Sequence, residues 1–354
     1  MKISKVKDSR INLIDFSTLP FGRVFSDHML ICKYRDGEWE SPEILPYAPL
    51  QISPSSQVFH YGQSIFEGMK AFKNNNNEVL FFRRDENFKR LNRSAKRMSI
   101  PEIPKDIFMN GLDELIKLDS EWCKVSEGYS LYIRPFIFAS SDCIKASSSE
   151  EFTFIIITSP TTTYYPDAIN LVIEEHYTRA SKGGVGFAKA AGNYAATFYP
   201  TKLANLQGFQ QVIWTDAYEH KYIEECGTMN IWFRIANRLV TPKVSDSILD
   251  GITRNSIITL AMDIGIEVEE RRISIDDLLE AYSQGLLKEV FGTGTAVAIS
   301  PIASITFRDK KMIFPEINDS FAFKLKTKLQ SIQKGEIKDV YGWTSKASFK
   351  TSIS

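Results

Sequence analysis

The sequence predicts an α+β chain of two domains, and length, element order and a change of composition support this prediction. With 354 residues, the chain exceeds the roughly 50–200 residues that usually share one hydrophobic core. Strand and helix patterns follow one another without an internal repeat. The proline- and threonine-rich segment SPTTTYYPD, at residues 159–167, interrupts these patterns. We therefore place a smaller N-terminal α/β domain at residues 1–165, a connector at 166–178 and a larger C-terminal domain at 179–354.

The first domain shows two strand patterns, a hairpin tip and an amphipathic helix. Residues 129–138 and 151–158 are rich in aromatic and β-branched side chains, which favour strands. The polar run at residues 74–77 is typical of a hairpin tip. Four apolar residues recur at spacings of three and four and so share one helix face: Phe88, Leu91, Ala95 and Met98.

The second domain is predicted to alternate helices and strands. Helices are expected at residues 194–206, 252–264 and 275–282, and strands at 211–215, 229–235 and 266–270. Gly265 directly follows the second of these helices, where a C-terminal cap is expected. Residues 289–291 should form a strand that leads into the glycine–threonine loop 292–296.

Composition restricts the possible partners. Lys plus Arg number 43 and Asp plus Glu number 43, and such a balance disfavours nucleic acid or an acidic membrane surface as a partner. No apolar run approaches the roughly 18 residues of a transmembrane helix, and no secretory signal is expected at the N-terminus. The four cysteines contain no Cys-x-x-Cys pair and the four histidines no metal motif. We expect no metal, buried reduced thiols and a cytoplasmic location.

The segment GGVGFAKAAGNY, residues 183–194, is the first candidate for chemistry. Its one lysine, Lys189, lies among Phe187 and three alanines. Apolar surroundings lower the pKa of an ammonium group and favour the free amine that a Schiff-base lysine needs. The alternative is an exposed loop lysine beside flexible glycines. A nucleotide-binding P-loop is excluded, because alanine precedes and follows the lysine.

Three further segments of the second domain combine glycine with polar residues. Glu224 and Glu225 precede an apolar strand, where a carboxylate could accept a hydrogen bond from a protonated ring nitrogen. Residues 250–253 lie at a predicted helix start, which favours a phosphate group. Residues 292–296 offer hydroxyls and close backbone approach. Each segment could equally be an ordinary turn.

In the first domain, Tyr132 and Arg134 are two residues apart on a predicted strand and so project from the same face. Burying both is costly unless an anion lies beside them. The anion could be a ligand or a structural carboxylate.

Taken together, these segments resemble the branched-chain aminotransferases, which are fold-type-IV, D-amino-acid-aminotransferase-like enzymes that use pyridoxal 5'-phosphate. Eight strings match in family order across nearly the whole chain. They are SDHML, HYGQSIFEGMKAF, RLNRSAKRM, SLYIRP, GGVGFAKAAGNY, ECGTMNI, GITR and FGTGTA, beginning at Ser26, His60, Arg90, Ser130, Gly183, Glu225, Gly251 and Phe291.

The resemblance implies a cofactor site between two domains. Lys189 would bind the cofactor covalently and move the α-proton, Glu225 would pair with the pyridine nitrogen, and Tyr194 would lie beside the phenolic oxygen. The residues implied around the phosphate and the substrate are Arg90, Ile252, Thr253, Thr295 and Thr228.

It also implies a substrate pocket, a homodimer and a reaction. The residues implied to form the pocket are Phe66, Tyr132, Tyr164, Arg134, the Thr295–Ala296 backbone and Tyr61 from the partner subunit. The amino group of L-leucine, L-isoleucine or L-valine would pass reversibly to 2-oxoglutarate by a ping-pong mechanism.

Two rival interpretations use the same residues differently. One is a relative that acts on D-amino acids, or an aminodeoxychorismate lyase, and the strings EGMKAF and SLYIRP argue against it. The other is a cofactor-binding or scaffold protein without catalysis, and the presence of both Lys189 and Glu225 argues against that.

Overall fold

The structure is a computed structural model that describes residues 1–125, 128–162 and 167–347. The chain forms two compact units, one made of Met1–Tyr164 with Ile332–Ser354 and the other of Tyr165–Ser331. In the part of the chain that the structure describes, no helix has the length and apolar character needed to cross a membrane.

The first unit is a ten-stranded sheet with helices packed on it. Its strands are β1 Lys2–Ile3, β2 His28–Arg35, β3 Glu38–Trp39, β4 Glu43–Pro46, β5 Ser64–Phe66, β6 Met69–Lys73, β7 Val79–Phe82, β8 Ser130–Ala139, β9 Phe152–Thr161 and, from the chain's end, β19 Thr344–Lys346. Its helices are α1 Gln57–Tyr61, α2 Arg84–Arg97 and α3 Lys105–Leu118, with three short 3-10 helices at Ile11–Leu13, Phe16–Thr18 and Ser120–Trp122. The main strand order is β1-β4-β2-β9-β8-β6-β7-β19.

The core of this unit follows from the apolar faces of its elements. β8 and β9 pair antiparallel over ten residues each, so their inward side chains form a continuous apolar surface. Leu91 and Ala95 of α2 are fully buried against this core, together with Phe108 of α3. The hairpin between β6 and β7 turns at Asn74–Asn77, where Asn77 adopts a positive φ of 60°.

The second unit is a nine-stranded sheet. Its strands are β10 Ile169–Ile173, β11 Gln211–Thr215, β12 Ile223–Cys226, β13 Met229–Ile235, β14 Arg238–Pro242, β15 Glu267–Arg271, β16 Leu287–Gly294, β17 Ala298–Phe307 and β18 Lys310–Ile313. Its helices are α4 Ala191–Leu206, α5 Ile252–Asp263, α6 Ile275–Ser283 and α7 Phe321–Gln333, the last of which ends within the first unit's residues. The order β12-β11-β10-β17-β16-β13 is closed into a ring by an additional pairing of β12 with β13.

Closure of the ring decides where the polar segments of this unit lie. The turn between β12 and β13, the end of β16 and the loop before α4 are attached to strands of the ring, and the loop before α5 follows β14, which pairs with β13. β12 pairs with β11 on one side and with β13 on the other, and all four of its residues are buried. α5 ends at Asp263 with Ile264 as its C-cap, and the following Gly265 has the positive φ of 76° that is typical after a helix end.

The elements predicted from the sequence are confirmed, with boundary shifts of a few residues. One shift matters for the site: β16 continues to Gly294, so three residues of the predicted glycine–threonine loop belong to the strand. The structure also corrects the expectation of buried thiols, because Cys143 is exposed while the other three cysteines are buried.

The predicted domain limits need correction in two places. The expected connector at 166–178 contains β10, which pairs with β11 and β17 and so belongs to the second unit's sheet. The end of the chain, expected in the second domain, belongs to the first unit because β19 pairs with β7. The first unit is therefore the larger of the two.

Candidate active site

Lys189 lies in a loop that is held in place by hydrogen bonds to the first turn of the following helix, α4. Its Nζ is 2.8 Å from the hydroxyl of Tyr194 on α4, and the side chain is half-buried. The amide of Asn193 donates to the carbonyls of Val185, at 2.7 Å, and Ala188, at 3.0 Å. The backbone on the N-terminal side of Lys189 is thereby tied to α4, which sets the direction of the amine.

The loop that carries Lys189 also packs against a neighbouring loop, and this close packing requires glycine at position 186. A Cβ there would lie 2.6 Å from the Cα of Ser247 and 2.7 Å from the carbonyl oxygen of Asp246. Both neighbours are backbone atoms, which cannot move aside as the end of a flexible side chain can. The lysine loop therefore packs directly on the loop 245–250, which precedes α5.

Glu225 is a buried carboxyl group with three hydrogen-bond or ion-pair donors. Arg179 Nε lies 2.9 Å from Oε2, while Asn230 Nδ2 at 3.1 Å and the backbone N–H of Leu249 at 2.9 Å donate to Oε1. Burial raises the pKa of this carboxyl, while the charges of Arg179 and Lys189 and the N–H of Leu249 act in the opposite direction. Such a carboxyl can share a proton with a basic nitrogen that enters the site.

Arg179 connects the parts of this site, and no local residue pattern predicted it. Besides Glu225, its guanidinium donates to the carbonyls of Gly186 and Ser247. Asn230 was likewise not recognised; its amide donates to Glu225 and to the carbonyl of Leu249, at 2.9 Å. Both residues act through contacts that link distant segments of the chain, which no local pattern records.

The N-terminal end of α5 has the features of an anion-binding site. Ile252 and Thr253 are buried at its first turn, which carries no acidic side chain. Helix geometry directs the first N–H groups out of the end of the helix, with a positive partial charge. A Cβ at Gly251 would collide with the Oδ1 of Asn230, so glycine is needed where the chain enters the helix.

The remaining predicted residues of the second unit lie on two turns of the ring. Thr228 is exposed on the turn between β12 and β13, and Thr295 and Ala296 are half-buried between β16 and β17. Thr293, by contrast, has a structural role, because its hydroxyl accepts the indole N–H of Trp232 at 3.0 Å.

In the first unit, Arg90 of α2 is buried in a bidentate ion pair. Its Nε and Nη2 donate to the two oxygens of Glu67 at 2.7 and 2.9 Å, and Asn87 also donates to Glu67 at 2.8 Å. Arg90 is 6% exposed and Glu67 is fully buried. The pair fixes the plane of the guanidinium.

The predicted pair on β8 is found on one face of the strand. Arg134 donates to the hydroxyl of Tyr132 at 3.0 Å and stacks over Phe66, with 4.6 Å from its guanidinium carbon to the ring centroid. No carboxylate among the described residues pairs with Arg134. The interpretation that Tyr132 and Arg134 face a structural carboxylate is therefore not supported. Tyr61 is half-exposed at the end of α1 and donates to the carbonyl of Ile144. Tyr164 lies outside the described residues.

Within the second unit, these groups fit pyridoxal phosphate. The amine of Lys189 suits an aldehyde, the carboxyl of Glu225 suits a pyridine nitrogen, and the start of α5 suits a phosphate. The Coulombic influence of Lys189 on Glu225 indicates that the amine and the carboxyl belong to one site. Among the described residues, no cluster of histidine, cysteine or acidic side chains could hold a metal ion.

Comparisons with known proteins agree with this chemistry. A family model described as amino-transferase class IV matches residues 64–305. The chain is 46% identical over 338 residues to a probable branched-chain-amino-acid aminotransferase of Staphylococcus epidermidis, covering 93% of each chain. It is 43% identical to the branched-chain-amino-acid aminotransferase 2 of Bacillus subtilis, covering 95% of this chain and 94% of the relative. A crystal structure of the Escherichia coli branched-chain amino acid aminotransferase is similar with a TM-score of 0.74 and 27% identity, covering 91% of this chain and 99% of that one.

Proposed function

The chain belongs to the class IV aminotransferases and, within them, to the branched-chain-amino-acid aminotransferases, and from this premise we propose how its residues carry out the transfer. The protein is a transaminase, and its family depends on pyridoxal phosphate. The proposal is that L-leucine, L-isoleucine or L-valine gives its amino group to 2-oxoglutarate, reversibly and by a ping-pong mechanism. The observation that carries it is the amine of Lys189, 2.8 Å from the hydroxyl of Tyr194 in the same unit as the buried carboxyl of Glu225.

The cofactor, when bound, supplies an aldehyde for the amino group and a ring that withdraws electrons from the α-carbon. Lys189 holds that aldehyde at rest and afterwards carries the proton away from the α-carbon. Tyr194 orients the amine and meets the phenolic oxygen. Glu225 accepts the hydrogen bond of the pyridine nitrogen and keeps it protonated, and Arg179 supports the charge of this carboxylate.

The phosphate is proposed to bind the backbone N–H groups at Ile252 and Thr253, the hydroxyl of Thr295 and the guanidinium of Arg90. The ion pair with Glu67 supports this role, because it holds Arg90 in one orientation. Thr228 is proposed to lie next to the cofactor and substrate.

The substrate pocket is proposed to contain Phe66, Tyr132 and Tyr164, with Tyr61 contributed by a partner subunit of a homodimer. The backbone at Thr295 and Ala296 would meet the α-carboxylate. Arg134 has a guanidinium without a carboxylate partner among the described residues, which suits the second carboxylate of 2-oxoglutarate or glutamate. The free thiols support a reducing location such as the cytoplasm.

The proposal is tested by the visible absorbance of the cofactor-loaded protein before and after one amino acid is added. L-isoleucine or L-leucine should change the spectrum, and D-alanine should leave it as it was. Lys189→Ala should abolish both turnover and covalent attachment of the cofactor. Lys182→Ala, an exposed lysine of the same loop, is the matched control and should behave as the wild type. Ordinary activity in Lys189→Ala, or a response to D-alanine alone, would overturn the proposal.

A further inference from the structure

Two adjacent glutamates on β12 lie in different surroundings. Glu224 and Glu225 are consecutive residues of β12, and Glu224 lies where the register of β12 with β11 shifts. Both are buried, at 8% and 3% exposed respectively. The proposed function uses only Glu225, so the presence of a second buried carboxyl beside it needs a separate explanation.

The hydrogen bonds of the two carboxyls are unequal. Glu225 accepts hydrogen bonds from Asn230 and the backbone N–H of Leu249 and forms an ion pair with Arg179. Glu224 contacts the hydroxyl of Ser247 through Oε1. Its Oε2 is buried and has no hydrogen-bond partner among the described residues. A carboxylate with one oxygen buried and unbonded is costly, whereas the neutral acid is not penalised to the same degree.

The charges around the two carboxyls also favour a neutral Glu224 beside an ionised Glu225. Arg179 is the cation that acts on both, and its ion pair is made with Glu225. Burial raises the pKa of Glu224, and the charges of Glu225 and Asp216 add to the rise, while Ser247 and Arg179 oppose it. Glu224 also lines a cavity of about 650 Å³. The other charged groups lining that cavity are Lys182, Asp216, Glu219, Lys243, Asp246 and Arg272.

The two glutamates bind the same loop at residues two positions apart. Ser247 is bound by Glu224, and the N–H of Leu249, two residues later, is bound by Glu225. The carbonyl of Ser247 accepts a hydrogen bond from Arg179. Gly251 and the first turn of α5 follow directly, so a shift of this loop moves the proposed phosphate site.

We propose that Glu224 is a positioning residue that is kept as a neutral carboxylic acid, holding Ser247 and leaving Arg179 to neutralise Glu225 alone. The part concerning the loop rests on the proposed function, because it concerns the placement of α5 against a phosphate. The part concerning protonation does not, because it describes the folded chain whatever it binds.

The protonation part is tested by the thermal unfolding of the full chain, freed of cofactor, between pH 5 and 8. The wild type loses stability as the pH rises from the ordinary glutamate value of 4.5 toward the raised one, because the unfolded chain releases a proton that the folded chain keeps. The variant Glu224→Gln lacks this titratable carboxyl and therefore should not lose stability in this way. The Tm of Glu224→Gln relative to that of the wild type should therefore rise with pH above 4.5, by at most about 2–4 °C per pH unit, until the pH passes the raised pKa of Glu224.

The control for this experiment is Glu219→Gln, an exposed glutamate that lines the same cavity. Its Tm should stay at a constant offset from the wild type across the range. A constant offset for Glu224→Gln as well, or one that falls as the pH rises, overturns the assignment of a neutral acid.

The positioning part is tested by direct binding of pyridoxal phosphate, measured by equilibrium dialysis at pH 7. Glu224→Ala removes the acceptor of Ser247 and should raise the dissociation constant about tenfold, as expected for one buried hydrogen bond. Glu224→Gln keeps an oxygen at this place and should stay within about threefold of the wild type. Wild-type affinity in the alanine variant, or equal losses in both variants, overturns this part. Failure of the wild type to bind would overturn the proposed function and leave the unfolding result standing.

Discussion

Removal of the Arg179 side chain tests a residue that contacts three other residues of the site. In Arg179→Met the buried carboxyl of Glu225 loses a cation at 2.9 Å, and the carbonyls of Gly186 and Ser247 lose their donor. Breaking one side of a buried ion pair costs about 3–5 kcal/mol, since the remaining charge stays in the interior. We expect the free energy of unfolding of the cofactor-free protein to fall by about this amount at pH 7, as measured by urea denaturation. The loss should shrink as the pH falls, because protonation of Glu225 removes the uncompensated charge.

Arg308→Met is the matched control for this change. Arg308 pairs with Glu175 at 2.7 Å in the same unit, but both side chains are exposed, at 68% and 37%. Water and salt screen such a pair, so its loss should not be resolved in the same assay. In the double variant Arg179→Met/Glu225→Gln, part of the stability should return, because no buried charge remains. If Arg179→Met were as stable as Arg308→Met, Arg179 would not hold the site together and the reasoning would fail.

Three further predictions follow from the packing and exposure of single residues. Gly186→Ala should destabilise the protein by about 1–3 kcal/mol, because its Cβ meets the backbone of Ser247; Gly192→Ala, which meets no atom within 4 Å, should show no loss in the same thermal scan. A thiol reagent at pH 8 should label one cysteine rapidly in the native protein, Cys143, because the other three are buried. Arg134→Met should raise the KM for 2-oxoglutarate at least tenfold, about the loss of one charge-assisted hydrogen bond, while the half-reaction with L-leucine changes little.

Each of these has a contradicting result. Equal stability of the two glycine variants would mean that the lysine loop does not pack on the loop 245–250. Rapid labelling of Cys32 or Cys123 would contradict their burial, which raises the pKa of each to about 12. A proportional rise of KM for both substrates of Arg134→Met would assign Arg134 to the general shape of the pocket.

The sequence by itself determined the elements and the chemistry of the lysine loop. The apolar stripe of α2, the asparagine hairpin tip and the helix that begins at Ile252 are set by side-chain periodicity and turn residues, which act over a few positions along the chain. The distance between Lys189 and Tyr194 is similarly local, since the two residues are only five positions apart in the chain. The motifs in family order supplied the activity, which the relatives bear out.

Only the tertiary structure showed how the surroundings of the two glutamates differ and revealed Arg179. The resemblance selected Glu225, but the local residue pattern of Glu224 and Glu225 is equally typical of a solvated turn. In the fold both are buried on β12, and residues more than 20 positions away contact them: Arg179 and the N–H of Leu249 contact Glu225, and the hydroxyl of Ser247 contacts Glu224. The same holds for β19, which joins the first unit by pairing with a strand more than 250 residues earlier. Hydrogen bonds and burial of this kind depend on which strands become neighbours in space, and short-range patterns of residues carry no record of that.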